Sequence, residues 1–291
     1  MIDNFISIHD QDLILKLEQN KIFRHLKNYR YLFLGKRPID KLGDLMDKII
    51  VVRDLPNNIE DKKCLYDYTG HWALAHNPEL VKSEFINIVH YDCLIFENFM
   101  PELIKVFKSD KNSFISYQPH PLTCCYFIND HFSKATIQAC KEVYGLDLYK
   151  KTYELITAND KFWQAGGSYA CSYENLKKYI DFVEPLLPYI TQDPMAAHNI
   201  ERTVKFFCVT NKLTEVFLPD VMEHIYNSSH DQIYQPPELI EAIKVRFNNF
   251  LEGKLFDEKK QKKKRWLHIT TNETHILVKI FFIKFKIKIR E

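Results

Sequence analysis

Glycine is scarce in this chain, with seven among 291 residues, well below the usual share of about 7%. Neither G-x-G-x-x-G nor G-x-x-x-x-G-K-[ST] occurs. This argues against a dinucleotide fingerprint or a P-loop, both of which need glycine to bring backbone N–H groups against phosphate. Any nucleotide bound here is held without a glycine cradle. The seven cysteines (64, 93, 124, 125, 140, 171 and 208) are odd in number and form no C-x-x-C pair. That speaks against a zinc ribbon or a disulfide scaffold and for a reducing compartment. No apolar run approaches the ~20 residues that span a bilayer. The opening M-I-D-N-F-I-S-I-H-D lacks the basic-then-apolar pattern of a secretory signal, so a cytoplasmic location is expected. Net charge is only +2, with 40 Lys+Arg against 38 Asp+Glu, so no global field draws nucleic acid.

What is present is a core. Hydrophobic residues make up 46% and aromatics 14%, enough to exclude wholesale disorder. The central stretch is Ser83 to Asn98, where Phe85-Ile86-x-Ile88-Val89 climbs as a buried strand and breaks at His90-Tyr91-Asp92. An acidic residue at the open end of such a strand is where a metal ion or ligand hydroxyl meets an α/β sheet, although from this stretch alone a strand followed by a solvated turn is the commoner reading. Before it, Phe5–Ile8, a helical pattern over 13–27, Tyr31–Leu34 and Ile49–Val52 read as strand, helix, strand, strand, the start of a parallel α/β sheet. Asp10 then lies at the C-terminal end of the first strand. Asn58 is a plausible N-cap for a helix running to about His76, with Leu65, Thr69, Trp72, Ala73 and His76 on one face and Lys63, Tyr66 and His71 on the opposite margin. Lys63 is placed to meet a phosphate and Tyr66 to stack on a base; exposed polar helix residues more often do neither.

Further along, Phe162-Trp163-Gln164-Ala165-Gly166-Gly167 contains the sole Gly-Gly pair. It reads either as close backbone approach to a ligand with the indole as a sugar plate, or as a tight turn packed by a core tryptophan. Asp193-Pro194 starts a helix with Ile200, Val204 and Phe207 as its buried stripe. Glu201 falls at the edge of that stripe, suited to a general base or to pairing with Arg202 or Lys205. Val216–Leu218 is a late strand followed by His224 and His230, candidates to complete a divalent metal site with a strand-end aspartate. After Pro236-Pro237 comes a helix to Glu252, then the basic run K-K-Q-K-K-K-R (259–265) and a strictly alternating segment from Phe281 to Ile289. Period two means an edge strand or surface ribbon. The basic run suits anionic headgroups or nucleic acid, and equally a solvated tail.

The order of these pieces resembles GT-A-type glycosyltransferases of the bacterial and viral capsular-polysaccharide kind. The resemblance is carried by the first strand ending in His9-Asp10, N-N-I-E-D-K-K-C-L-Y-D-Y-T-G-H-W-A-L-A-H-N-P, I-N-I-V-H-Y-D-C, W-Q-A-G-G-S-Y-A-C-S-Y-E-N-L-K-K-Y, H-N-I-E-R-T and L-P-D-V-M-E-H. It implies an α/β, Rossmann-like mixed sheet flanked by helices over residues 1–235, followed by a C-terminal helix (236–256) and a basic tail (257–291). It also implies transfer of a sugar from a nucleotide-sugar donor, UDP-sugar foremost, to a glycan or lipid-linked acceptor with Mn²⁺ or Mg²⁺. Asp92 would stand for the last aspartate of the D-x-D motif, with His90 and Tyr91 where another aspartate often stands. His230, or else His224, would be the late metal ligand, and Glu201 the acceptor-activating base. Asp10, Lys63, Tyr66 and Thr69, together with His90 and Tyr91, would line the nucleotide. Trp163, Gln164, Gly166 and Gly167 would shape the sugar pocket. The basic tail would touch membrane or acceptor; nucleic acid is not an expected partner. The competing reading is a non-catalytic carbohydrate- or anion-binding module whose tail attaches it to membrane or nucleic acid.

Overall fold

Apolar β-branched and aromatic runs become strands where sequence periodicity places them. The computed structural model describes residues 1–122, 133–160, 162–164, 167–194, 196–225, 237–256, 267–271, 275–280 and 283–288. The chain divides into two compact units, Met1–Asn227 and Ser228–Glu291. The first contains β1 (Ile2–Ile8), α1 (Gln11–Gln19), β2 (Tyr29–Phe33), β3 (Ile49–Val51), α2 (Tyr68–His76), β4 (Phe85–His90), β5 (Cys93–Ile95), α3 (Phe99–Ser109), β6 (Ser113–Ser116) and β7 (Pro119–Pro121). There follow α4 (Lys134–Tyr144), α5 (Leu148–Thr157), β8 (Phe162–Gln164), β9 (Tyr169–Ser172), α6 (Tyr173–Val183), α7 (Leu187–Ile190), α8 (Ala196–Thr210), β10 (Thr214–Phe217) and β11 (Met222–His224).

Seven strands form one mixed sheet in the order β10-β6-β9-β4-β1-β2-β3. β1 runs parallel to both β2 and β4, and β2 to β3. β9 alone is inserted antiparallel, between β4 and β6. This is the helix-flanked α/β sheet implied by the resemblance. Every residue of β1 is buried, because the strand lies in the interior of the sheet and is covered on both faces, the usual setting of continuous apolar strands. The chain leaves β1 toward β2 on one side and reaches β4 on the other, which opens a crevice at the C-terminal ends of β1 and β4.

Polar side chains pin the central register. Asn4 and Asn87 are register partners. Asn87 Nδ2 donates to Asn4 Oδ1 at 2.9 Å, and the Tyr117 hydroxyl donates to Asn87 Oδ1 at 2.6 Å. Asn4 Nδ2 in turn donates to the Lys27 carbonyl at 2.7 Å. Any register shift would strand these buried groups without partners. A second buried polar point is Lys205, 1% exposed, whose ammonium pairs with Asp160 and Glu215.

The helix expected from Asn58 to His76 is shorter than predicted. Asn58 Nδ2 turns back to the carbonyls of Leu55 and Arg53, so the side chain closes a turn instead of capping a helix. Lys63–Leu65 is a single 3-10 turn, and Tyr66 adopts φ 43°, which a helix cannot accommodate. α2 then begins at Tyr68. His71, expected on the exposed margin, is buried, because α2 is covered on more than one side. Gly70 leaves just enough room for Leu34, whose Cδ2 would lie 3.1 Å from an added Cβ.

The second unit contains α9 (Pro237–Leu251) and a three-stranded antiparallel meander, β12 (Leu267–Thr271), β13 (His275–Ile280) and β14 (Ile283–Lys288). β14, from the alternating segment, is an edge strand paired only with β13. The basic run 259–265 lies outside the described residues. Among the described residues, no helix is long and apolar enough to cross a membrane.

Asn87→Ala removes the acceptor of Tyr117 and the donor to Asn4 together. It is expected to cost about 3 kcal/mol, from two orphaned buried groups, measured as a shift of the urea midpoint with unchanged m-value.

Candidate active site

β4 ends at His90, and Asp92 follows where the buried strand meets the crevice. The register of β4 on β1 carries over this corner, since the Tyr91 N–H donates to the Ser7 carbonyl at 3.1 Å. The chain then enters β5, which pairs antiparallel with β11 and sets His224 opposite Cys93. The Ile225 N–H donates to the Asp92 carbonyl at 2.7 Å. Through this pairing, His224 Nε2 comes within 3.1 Å of Asp92 Oδ2. The other oxygen, Asp92 Oδ1, is buried and has no hydrogen-bond partner among the described residues. A buried carboxylate oxygen without a partner is costly unless a ligand or ion uses it.

One ligating atom each from His90, Asp92 and His224 lies within 4.8 Å of the others. Two imidazoles and a carboxylate suit a divalent ion that keeps further positions for substrate oxygens. The unpartnered Asp92 oxygen and this donor set fit a divalent metal of the kind the resemblance implies.

Behind His90 stands a carboxylate that sequence reading did not single out. Asp67 Oδ2 lies 2.8 Å from His90 Nε2 and 3.8 Å from His71 Nε2. His71 Nδ1 meets the Tyr169 hydroxyl at 3.2 Å. Burial opposes ionisation of Asp67, but the charge and hydrogen bond of His90, with a contribution from His71, outweigh it and hold the carboxyl below the ordinary range. Burial would also lower His90, but the Asp67 charge and hydrogen bond reverse this and push the ring up to about 9. For His71 burial wins over the same Asp67 charge, and the ring is held down at about 4. The two histidines thus take opposite protonation states beside one carboxylate. Burial decides one and the short hydrogen bond the other.

Glu201, half-buried on α8, lines a pocket with Asp67, His71, Gly167, Tyr169 and Tyr179. Its charge also favours the protonated form of His90. Glu201, Gly167, His90 and Asp92 are the sequence-predicted residues that the fold gathers here. Tyr66 and Thr69 flank Asp67. Tyr66 is 56% exposed, whereas Thr69 is buried with its hydroxyl on Glu60 Oε1 at 2.5 Å and the Tyr66 carbonyl at 2.8 Å. Lys63 is exposed on the 3-10 turn. Tyr91 is buried, with its ring edge-on to His9 at 5.3 Å.

Asp10 lies beyond the end of β1 as expected, but its carboxylate caps α1 through the Asp12 N–H at 2.8 Å and pairs with Arg37 at 3.2 Å. Trp163 is 3% exposed. Its indole N–H donates to the Pro121 carbonyl at 3.2 Å, and its ring faces the Arg202 guanidinium at 5.4 Å. Its setting is that of a packed turn tryptophan, not of an open sugar plate. Gln164 pairs its backbone with Pro119. Gly166 and His230 lie outside the described residues; the late histidine brought to Asp92 is His224. Asp67 and His71 had a detectable signal, since D-Y-T-G-H spaces an acid and a histidine one helical turn apart. Nothing in the sequence distinguishes His224 from His230.

No family model matches this chain, and no curated protein matches it. Among solved structures, the apo form of WbbM, a bifunctional glycosyltransferase, superposes with a TM-score of 0.50 at 13% identity over 78% of this chain and 45% of that one. The chain thus spans less than half the length of that structure. Glucosyl-3-phosphoglycerate synthase from Mycobacterium tuberculosis, solved with Mg²⁺ and UDP, gives a TM-score of 0.39 at 11% identity over 85% of this chain and 79% of that one. The WbbM likeness is one of fold: this chain has a GT-A-like α/β fold.

The combined contribution of His71 and His90 to the stability of the metal-free protein is expected to peak near pH 6.5. As pH falls below 6.5, the unfolded chain takes up a proton at His71 before the folded one does, so stability declines toward pH 4. The contribution of His90 is complete below 6.5 and is lost as pH rises through about 9. Each limb is bounded by about 1.4 kcal/mol per pH unit. Denaturant titrations from pH 4 to 10 will show a maximum, and His71→Asn will flatten only the acid limb.

Proposed function

We propose that this protein is a glycosyltransferase, moving a sugar from a UDP-sugar to a hydroxyl of a glycan or lipid-linked acceptor with a divalent ion, Mn²⁺ or Mg²⁺, held by His90, Asp92 and His224. The observation that carries the reading is the buried Asp92 carboxylate, one oxygen without a partner and two imidazoles beside it, at the switch point of a GT-A-like sheet. The fold likeness to a glycosyltransferase supports the same class. When bound, the ion supplies positive charge against the diphosphate that leaves as the donor C1–O bond breaks. Asp92 and the two histidines orient that charge at the open edge of β4. Glu201 accepts the acceptor hydroxyl proton as the new C–O bond forms. Gly167 lines the same pocket as Glu201, its side-chain position filled by the Asp67 carboxylate and the His90 ring. The run 259–265 is assigned to contact with anionic headgroups or the acceptor, at the cytoplasmic face of a membrane.

The test is a thermal-shift screen of the full chain against UDP, GDP, CMP and dTDP sugars with and without Mn²⁺. A UDP-sugar is expected to raise the melting temperature only with metal, and Asp92→Ala and His224→Ala to abolish the shift. Glu201→Gln is expected to keep the shift while kcat falls about 10²–10⁴-fold. Full transfer activity in Asp92→Ala would sink the metal assignment.

A further inference from the structure

We propose that Asp67 is a positioning residue that fixes the tautomer and aim of His90, and that position 167 is glycine so that this contact forms. The inference rests on the metal reading above. An imidazole has two nitrogens, and a ligating histidine commonly gives the second one to a carboxylate that orients it. Asp67 Oδ2 takes Nε2 of His90 at 2.8 Å, so Nδ1 is the nitrogen left for a cation held with Asp92 and His224. The ring is fixed at its backbone too, where the His90 N–H donates to Ser168 Oγ at 3.2 Å.

Gly167 supplies an independent observation. A Cβ there would lie 2.0 Å from Asp67 Oδ2 and 2.8 Å from His90 Nε2, distances no side chain tolerates. The backbone of Gly167 is not among the left-handed glycines, so the demand is for space and not for conformation. The glycine is empty on the side where carboxylate and imidazole meet. Asp67 is also delivered by an unfavourable backbone: Tyr66 before it sits at φ 43° and ψ −121°, a strained setting for a residue with a Cβ. On its far side Asp67 is flanked by His71, itself held by Tyr169. The carboxylate thus lies between the two imidazoles, hydrogen-bonded to His90 and 3.8 Å from His71, as an orienting group requires.

The experiment is a calorimetric Mn²⁺ titration of the full-length wild type, Asp67→Asn, Gly167→Ala and Asp92→Ala. It is paired with ¹⁵N NMR of the His90 ring in the wild type loaded with Zn²⁺ as a diamagnetic probe. Asp67→Asn and Gly167→Ala are expected to bind Mn²⁺ about 10–100-fold more weakly, and Asp92→Ala not to bind measurably. In the Zn²⁺ form His90 is expected to carry its proton on Nε2. Wild-type affinity in Asp67→Asn, or a proton on Nδ1 with the metal on Nε2, overturns the positioning role and leaves the metal reading standing. No divalent-ion binding by the wild type overturns both. The NMR result decides the question even if a variant fails to fold.

Discussion

Parallel pairing of β1 with β4, from Ile2 opposite Phe85 to Ser7 opposite His90, is the interaction on which the rest of the molecule depends. Both strands are buried almost throughout, and the Asn4–Asn87–Tyr117 hydrogen bonds lock them in one register. A slip of one residue would part Asn4 from Asn87 and leave buried polar groups without partners. Because the register is fixed, the point at which β4 runs out is fixed as well. His90 must stop beside Ser7, and Asp92 must emerge at the edge of the crevice.

Four further elements converge on that corner. β11 pairs with β5 and carries His224 to Asp92. β9 is inserted antiparallel beside β4, which places Gly167 and Tyr169 over His90 and His71. α2 and α8 close the pocket with Asp67 and Glu201. The result is a dense set of ionisable groups. Asp67 is stabilised as an anion by its short bond to His90, and His71 is kept neutral by burial. An arrangement of this kind is expensive to hold in a fold and is characteristic of sites that handle charge.

Lys205 offers an instructive contrast. It is almost fully buried, yet both its carboxylate partners are in place, so its charge is neutralised locally and it serves the packing of α8. Asp92 is nearly as buried, and one of its oxygens has no such partner. The two buried charges differ in that Lys205 is fully paired and Asp92 Oδ1 has no partner among the described residues.

The sequence by itself determined the elements and their order. Strands at β1, β2, β4, β6 and β10, the helix after Asp193-Pro194 and the strand-end position of Asp92 are all written in local periodicity and breakers, which act over a few residues. It also overextended two helices: the pattern over 13–27 ends at Gln19, and the one from Asn58 starts only at Tyr68, because Asn58 has several turns it can cap and the sequence does not say which. What only the tertiary structure decided is which side chains face each other. Bringing His224 to Asp92 needed the β5–β11 pairing. Recruiting Asp67 and His71 needed α2 to be covered on more than one side. Packing Trp163 under Arg202 needed the turn after α5 to fold back on α8. These contacts join residues far apart in the chain, and they exist because burying the sheet leaves each of these side chains one place to go.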